Sequence, residues 1–380
     1  MIPYLVCFAL SLTIILFIQD WRHNTVGFIF WSFIALLIPC ILAGWRGYAV
    51  GTDIGNYAKP LFDLADNALN YKDFMGSSWY RVYWISGPQE FEIGYVLLVW
   101  ISARIFGSFQ ALLFFTQLLT IVPIYIAATS QSQRCPLSLS MGMYYFLYYN
   151  STLNMMRQWI AMAFVMLALI HLYKTEVGIL RQQSCFAAIL FGCLFHVTAL
   201  IALPMVLLRS YLDSTGTHDS KRIIVTCLIG LVLLFGIRAI SYVLTILGLG
   251  YYVGYLGDLN LHIMPDQIIL RLPLLCLAWY AYIRTLRSGK NCGLAAFILC
   301  MVFYGTLCSQ LLSLNSQSGR IATYFDMFSM AVPSLLLSTF RRSDLYRSVI
   351  SVFISLYFVG YWAYYYLSLN VGETIPYIWI

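Results

Sequence analysis

The sequence predicts an all-α, polytopic membrane protein with about 10–12 transmembrane helices and an external loop region. Two observations carry this. Hydrophobic residues make up 61% of the 380-residue chain and charged residues only 10%, whereas a soluble domain carries about a quarter charged. The apolar runs are also continuous and about twenty residues long, the length an α-helix needs to cross a bilayer, while the strands of a membrane barrel alternate over about ten residues.

In order, the runs fall at 2–19, 25–43, 91–106, 109–129, 137–150, 154–173, 183–209, 222–247, 267–287, 291–313, 320–339 and 345–369. The first, MIPYLVCFALSLTIILFIQDWRH, has neither a basic n-region nor a small-residue cleavage site, so it reads as a membrane helix and not as a removed signal. No internal repeat or low-complexity linker divides the chain, and residues 1–380 are read as a single polytopic membrane domain.

Two stretches interrupt the apolar pattern. Residues 44–92 hold six of the fifteen acids (Asp53, Asp63, Asp66, Asp73, Glu90 and Glu92) against four basic residues. An acidic segment in a chain of net charge +7 is expected outside the cytoplasm, so 44–92 is read as an external, periplasmic loop with short helices. Residues 248–266, GLGYYVGYLGDLNLHIMPD, are rich in Gly and Tyr and form a second expected external loop. Basic clusters at Lys174/Arg181, Lys221/Arg222, Arg284/Arg287/Lys290 and Arg341/Arg342/Arg347 mark cytoplasmic ends. Only one run separates the first two clusters. The 183–209 run is long for one pass, and a break near His196 would return the chain to the same side and put His196 in a polar cavity. Arg104 and Arg134 pose a similar conflict that the sequence leaves open.

The chemistry-bearing residues lie at the ends of runs. In LNMMRQWIAMAF, Asn154, Arg157, Gln158 and Ala161 fall at helical spacing and are expected on one face. Such groups are costly against lipid and should face the protein interior or a cavity, although an Arg at a helix end can also snorkel to headgroups. In SGRIATYFDMF, Arg320 opens a run, with Tyr324 one turn later and Asp326 on a different face. Arg46, Arg157 and Arg320 are fork-shaped cations suited to phosphate oxygens. Asp53, Glu92 and His196 are the candidate general bases. Asp53 in GTDIGN also suits a turn or cap, and His196 a satisfied core position.

Other classes are disfavoured. The ten Cys show no metal-ligand spacing and read as small buried hydrophobes. There is no phosphate-binding GxxxxGK[ST], no dinucleotide fingerprint and no GxSxG elbow. No cofactor, no metal and no nucleic-acid partner is expected.

The pieces RGYAVGTDIGNY (46–57), FEIGYVLL (91–98), LNMMRQWIAMAF (153–164), FHVTALIALP (195–204) and GRIATYF (319–325) resemble, in this order, the EpsG family of bacterial polysaccharide membrane proteins, akin to Wzy-type O-antigen polymerases. Residues 210–318 carry no matching piece. The resemblance implies a GT-C-like glycosyltransferase of the bacterial inner (cytoplasmic) membrane. It would polymerise undecaprenyl-diphosphate-linked repeat units, both donor and acceptor, into O-antigen or a related surface polysaccharide, with a chain-length regulator as a further partner. On that reading Arg46, Arg157 and Arg320 hold the donor diphosphate, with Asn154, Gln158 and Tyr324 also binding substrate. Asp53 or His196 activates the acceptor hydroxyl, with Glu92 in reserve. A flippase for the same lipid-linked glycan and an O-antigen ligase are the competing readings.

Overall fold

The computed structural model describes residues 1–21, 25–80, 85–131, 135–173, 182–213, 220–236, 242, 245–246, 261–288, 292–341 and 345–379. It is helical almost throughout. Among the described residues, five helices are long and apolar enough to cross a membrane: Thr25–Gly44, Phe109–Gln131, Pro265–Arg287, Gly293–Ser313 and Leu345–Ser368. Shorter apolar helices span Ile2–Ile18, Ile93–Phe106, Met156–Leu172 and Gln183–Cys193. Lys174, Arg181, Lys290, Arg342, Arg134, Arg81 and most of the 248–266 loop lie outside the described residues.

The chain divides into two compact units, Met1–Ala202 with Phe353–Ile380, and Leu203–Val352. In the first unit α1 (Ile2–Ile18) packs on α2 (Thr25–Gly44). Pro39 sits inside α2 and has no N–H to give the Ala35 carbonyl one turn earlier. The Ser11 hydroxyl of α1 takes that role, donating to Ala35 O at 2.8 Å. The last-turn carbonyls of α2, which have no helical partner, are also met by side chains. Arg46 Nη1 donates to Ala43 O at 2.9 Å and Tyr377 Oη to Leu42 O at 2.6 Å.

The 44–92 segment folds into short elements. A π-helical turn at Ile54–Ala58 runs into α3 (Lys59–Asn67), followed by α4 (Tyr71–Gly76), a two-residue hairpin β1 (Trp79–Tyr80) and β2 (Ile85–Ser86), and a 3-10 turn at Pro88–Glu90. α3 is strongly amphipathic and buries Leu61, Phe62 and Ala65 against α5 (Ile93–Phe106), which leads into α6 (Phe109–Gln131). These apolar side chains form one continuous core from Ile54 to Leu113, joined by Met156, Ile160 and Phe195. It anchors the polar loop to the helices.

After α7 (Leu137–Met143) the chain passes through a π-helical turn into α8 (Tyr149–Asn154) and α9 (Met156–Met166). The sequence pattern treats 154–161 as one helical stripe. The structure interrupts it at Met155, whose φ of −104° and ψ of 57° are not helical. Asn154 therefore ends one helix, while Arg157, Gln158 and Ala161 belong to the next. α10 (Gln183–Cys193) stops short, and a 3-10 turn at Val197–Ile201 leads into α11 (Ala202–Asp213). His196 is the cap between them, so the long 183–209 run is broken at the predicted place.

Residues 370–379 fold back into the first unit. Glu373 O accepts from Gly51 N–H at 2.9 Å and Ile378 O from Gly47 N–H at 2.6 Å. Thr374 is fully buried; its carbonyl accepts from Tyr4 Oη and its hydroxyl from Asn150 Nδ2. In the second unit Pro265–Arg287, Gly293–Cys308, Ser316–Asp326 and Val332–Leu337 pack together, with Ser220–Phe235 against Gly293–Cys308.

Candidate functional site

The site in the first unit is assembled from the polar pieces of four elements. Gly51 opens it. Its φ of +88° suits only glycine, and an added Cβ would stand 2.8 Å from Leu153 O. That close approach places Thr52 on Asn154, whose Oδ1 accepts from the Thr52 amide at 2.9 Å and its hydroxyl at 2.7 Å. Asp53 follows, 5% exposed, at the start of the π-helical turn. The Tyr57 hydroxyl donates to Asp53 Oδ2 at 2.7 Å. Such single π-turns concentrate at functional sites. Burial first, and then the Asp53 carboxylate, raise the Tyr57 pKa well above the ordinary phenol value.

Arg157 lies against the same tyrosine. Its guanidinium carbon is 4.8 Å from the Tyr57 ring centre, 4.6 Å from Phe91 and 6.0 Å from Tyr95. Cation–π attraction therefore holds the cation on three sides. Its Nη1 is paired with Glu92 Oε2. The Arg157 side chain stays 18% exposed and that of Glu92 20%, so the pair has an open edge.

Glu92 has both oxygens engaged. Oε1 accepts the Val197 amide at 3.0 Å. Two residues on, Gly94 N–H donates to Leu194 O at 2.7 Å. A Cβ at Gly94 would stand 2.9 Å from the Leu194 Cβ and closer still to its carbonyl, so only glycine fits. FEIG and LFHV are thus cross-linked, which fixes the break at His196. The half-buried His196 accepts the Thr198 amide at Nδ1, 3.3 Å, with the Thr198 hydroxyl 2.7 Å from the same nitrogen.

Arg46, which the sequence offers as a further phosphate ligand, lies buried at the end of α2. It is 1% exposed. Besides Ala43 O, it donates from Nη2 to Leu153 O at 3.1 Å, with Met156 Sδ also at 3.1 Å. In an unbroken helix Leu153 O would serve the amide four residues on, so the break at Met155 leaves that carbonyl for Arg46. Arg46 staples the end of α2 to the α8–α9 junction. Gln158 is buried at 7% exposure. Three buried donors (Arg46 Nε, Arg157 Nε and Tyr95 Oη) have no partner among the described residues.

The structure therefore brings Arg46, Asp53, Glu92, Asn154, Arg157, Gln158 and His196 into one unit, and adds Tyr57, Phe91 and Tyr95. Arg320 and Tyr324 belong to the second unit, Arg320 half-buried and Tyr324 1% exposed. There Asp326 pairs with Arg271, which donates from Nε at 3.0 Å and Nη2 at 2.8 Å to Oδ2, while its Nη1 reaches Gln267 Oε1 at 2.9 Å. The sequence reading passed over Arg271. An arginine in the middle of IILRLPLLCLAWY was the available signal, because a charge inside an apolar helix needs a partner.

A helical membrane protein with a partly open arginine–carboxylate pair in an aromatic frame, beside a buried Asp–Tyr pair, suits chemistry on an anionic substrate. The EpsG family model matches residues 29–379, nearly the whole chain including the fold-back segment. The protein belongs to the EpsG family. Membership is consistent with a multi-pass membrane protein of the polysaccharide polymerase type. No curated protein and no solved structure matches the chain.

Proposed function

We propose that the protein polymerises lipid-diphosphate-linked oligosaccharide repeat units into a surface polysaccharide at the outer face of the bacterial inner membrane. The observation that carries the reading is the Arg157 setting. A guanidinium held by three aromatic rings, paired on one side and open along an edge, is preorganised for phosphate oxygens. The carrier lipid is of the undecaprenyl diphosphate type, a good leaving group that needs no nucleotide.

In the proposed step the acceptor sugar hydroxyl attacks the anomeric carbon of the donor glycan. The bond from that carbon to the phosphate oxygen breaks, and its electron pair leaves with the lipid diphosphate. Arg157 stabilises the growing charge. Asp53 takes the hydroxyl proton, and direct displacement inverts the anomeric centre. Asp53 is given the base role for its place beside the Tyr57 ring that carries Arg157, while Glu92 is tied to Arg157 and the Val197 amide. Glu92 and Arg46 then organise the site instead of reacting. His196 faces its own Thr198 amide through Nδ1 and is assigned no proton transfer. Arg320 and Tyr324 remain candidate substrate ligands of the second unit.

The test is a strain that makes the polysaccharide but lacks this protein. A missing polymerase leaves single repeat units on the surface acceptor; a missing flippase or ligase leaves none. Complete loss of surface glycan would overturn the reading.

A further inference from the structure

We infer that Tyr57 is a positioning residue that joins the two halves of the site, its hydroxyl aiming Asp53 and its ring carrying Arg157. The inference rests on the polymerase reading above and adds to it a residue that the motif pieces by themselves do not single out. Tyr57 is 6% exposed, so its hydroxyl needs a partner inside the protein, and that partner is Asp53 Oδ2 at 2.7 Å. The ring packs edge-on to Tyr95, with centres 5.7 Å apart at 74°, and against Phe91 at 5.5 Å. The Arg157 guanidinium lies 4.8 Å above it. One side chain thus touches both the group that would take the proton and the group that would hold the phosphate.

A hydroxyl donated to a carboxylate favours its charged form and makes it a weaker proton trap at rest. Among the charged or titratable groups of this cluster are Tyr95 from α5 and Arg157 from α9, both beside Tyr57, and Arg46 beyond α2 beside Tyr95, with Glu92 paired to Arg157.

Tyr57→Phe keeps the ring under Arg157 and removes the donor. Tyr57→Leu removes both. In Tyr57→Phe the Asp53 carboxyl should titrate about one pH unit higher, and the acid limb of kcat/KM should move with it, while KM for the lipid-diphosphate donor stays within about twofold. Tyr57→Leu should in addition raise the donor KM about tenfold or more through the lost cation–π contact. A merely structural tyrosine would lower activity in both variants without moving the acid limb. The carboxyl titration is read by 13C NMR on the intact protein in nanodiscs, with Asp53→Asn assigning the signal. An unmoved Asp53 titration in Tyr57→Phe, or equal donor KM in the Phe and Leu variants, overturns the inference. The titration needs no turnover, so a native protein that builds no polymer would sink the polymerase reading while the Asp53 coupling is still decided.

Discussion

Glu92→Gln separates a carboxylate that reacts from one that organises. Glu92 Oε2 faces Arg157 and Oε1 accepts the Val197 amide at 3.0 Å. A glutamine offers one acceptor oxygen and one NH2 group, so one of the two donors is met by another donor. The Arg157 charge also loses its counter-ion. Breaking a fully buried pair costs about 3–5 kcal/mol. Here the two side chains keep 18% and 20% exposure, and water recovers part of that cost, leaving about 1–3 kcal/mol. The loss should concentrate where Glu92 holds the chain, at the junction of α10 and the 3-10 turn. The assay is equilibrium unfolding in nanodiscs together with amide exchange over residues 194–201. Donor-lipid binding should not weaken, because the competing carboxylate is gone and three rings still hold the guanidinium. A variant within about 0.5 kcal/mol of the native protein and with unchanged exchange at Val197 would refute the cross-link. Intact folding with abolished turnover would make Glu92 the base.

Other expectations follow from the same geometry. Gly51→Ala should destabilise by about 2–4 kcal/mol by thermal unfolding, from the positive-φ cost and a Cβ 2.8 Å from a carbonyl that Arg46 holds in place. Arg157→Lys keeps the charge but loses the planar fork and most of the stacking, so donor-lipid affinity measured by calorimetry should fall about tenfold or more. The Tyr57 phenol has a folded pKa above its unfolded value of about 10. Its contribution is therefore complete below that pH and is lost as pH climbs from there toward the folded value. Alkaline unfolding followed by circular dichroism should begin above about pH 10 and be shallower in Tyr57→Phe.

Much of this was legible in the sequence because membrane physics is strict. Apolar length announced the helices. The acidic 44–92 segment stood out against them, and His196 marked where an over-long run breaks. Asp53, Glu92, Asn154 and Arg157 were visible as polar groups with no reason to face lipid. Periodicity could not show that Met155 leaves helical geometry, since the contacts that accompany the break, Arg46 donating to Leu153 O and the close approach of Gly51, come from another part of the chain. It could not show whether Arg46 faces a ligand or backbone carbonyls, because both need the same residue at the end of a helix. Tyr57 and Phe91 looked like two among many aromatics, and only their distances to Arg157 set them apart. The fold-back of residues 370–379 was invisible because its hydrogen bonds reach Tyr4, Gly47, Gly51 and Asn150, all distant in sequence.

The most direct measurement places the purified protein in nanodiscs with undecaprenyl-diphosphate-linked repeat units and resolves product length on a gel, native beside Arg157→Ala. The account predicts a ladder from the native protein and only single units from a folded Arg157→Ala variant. A ladder from Arg157→Ala that matches the native one would contradict it.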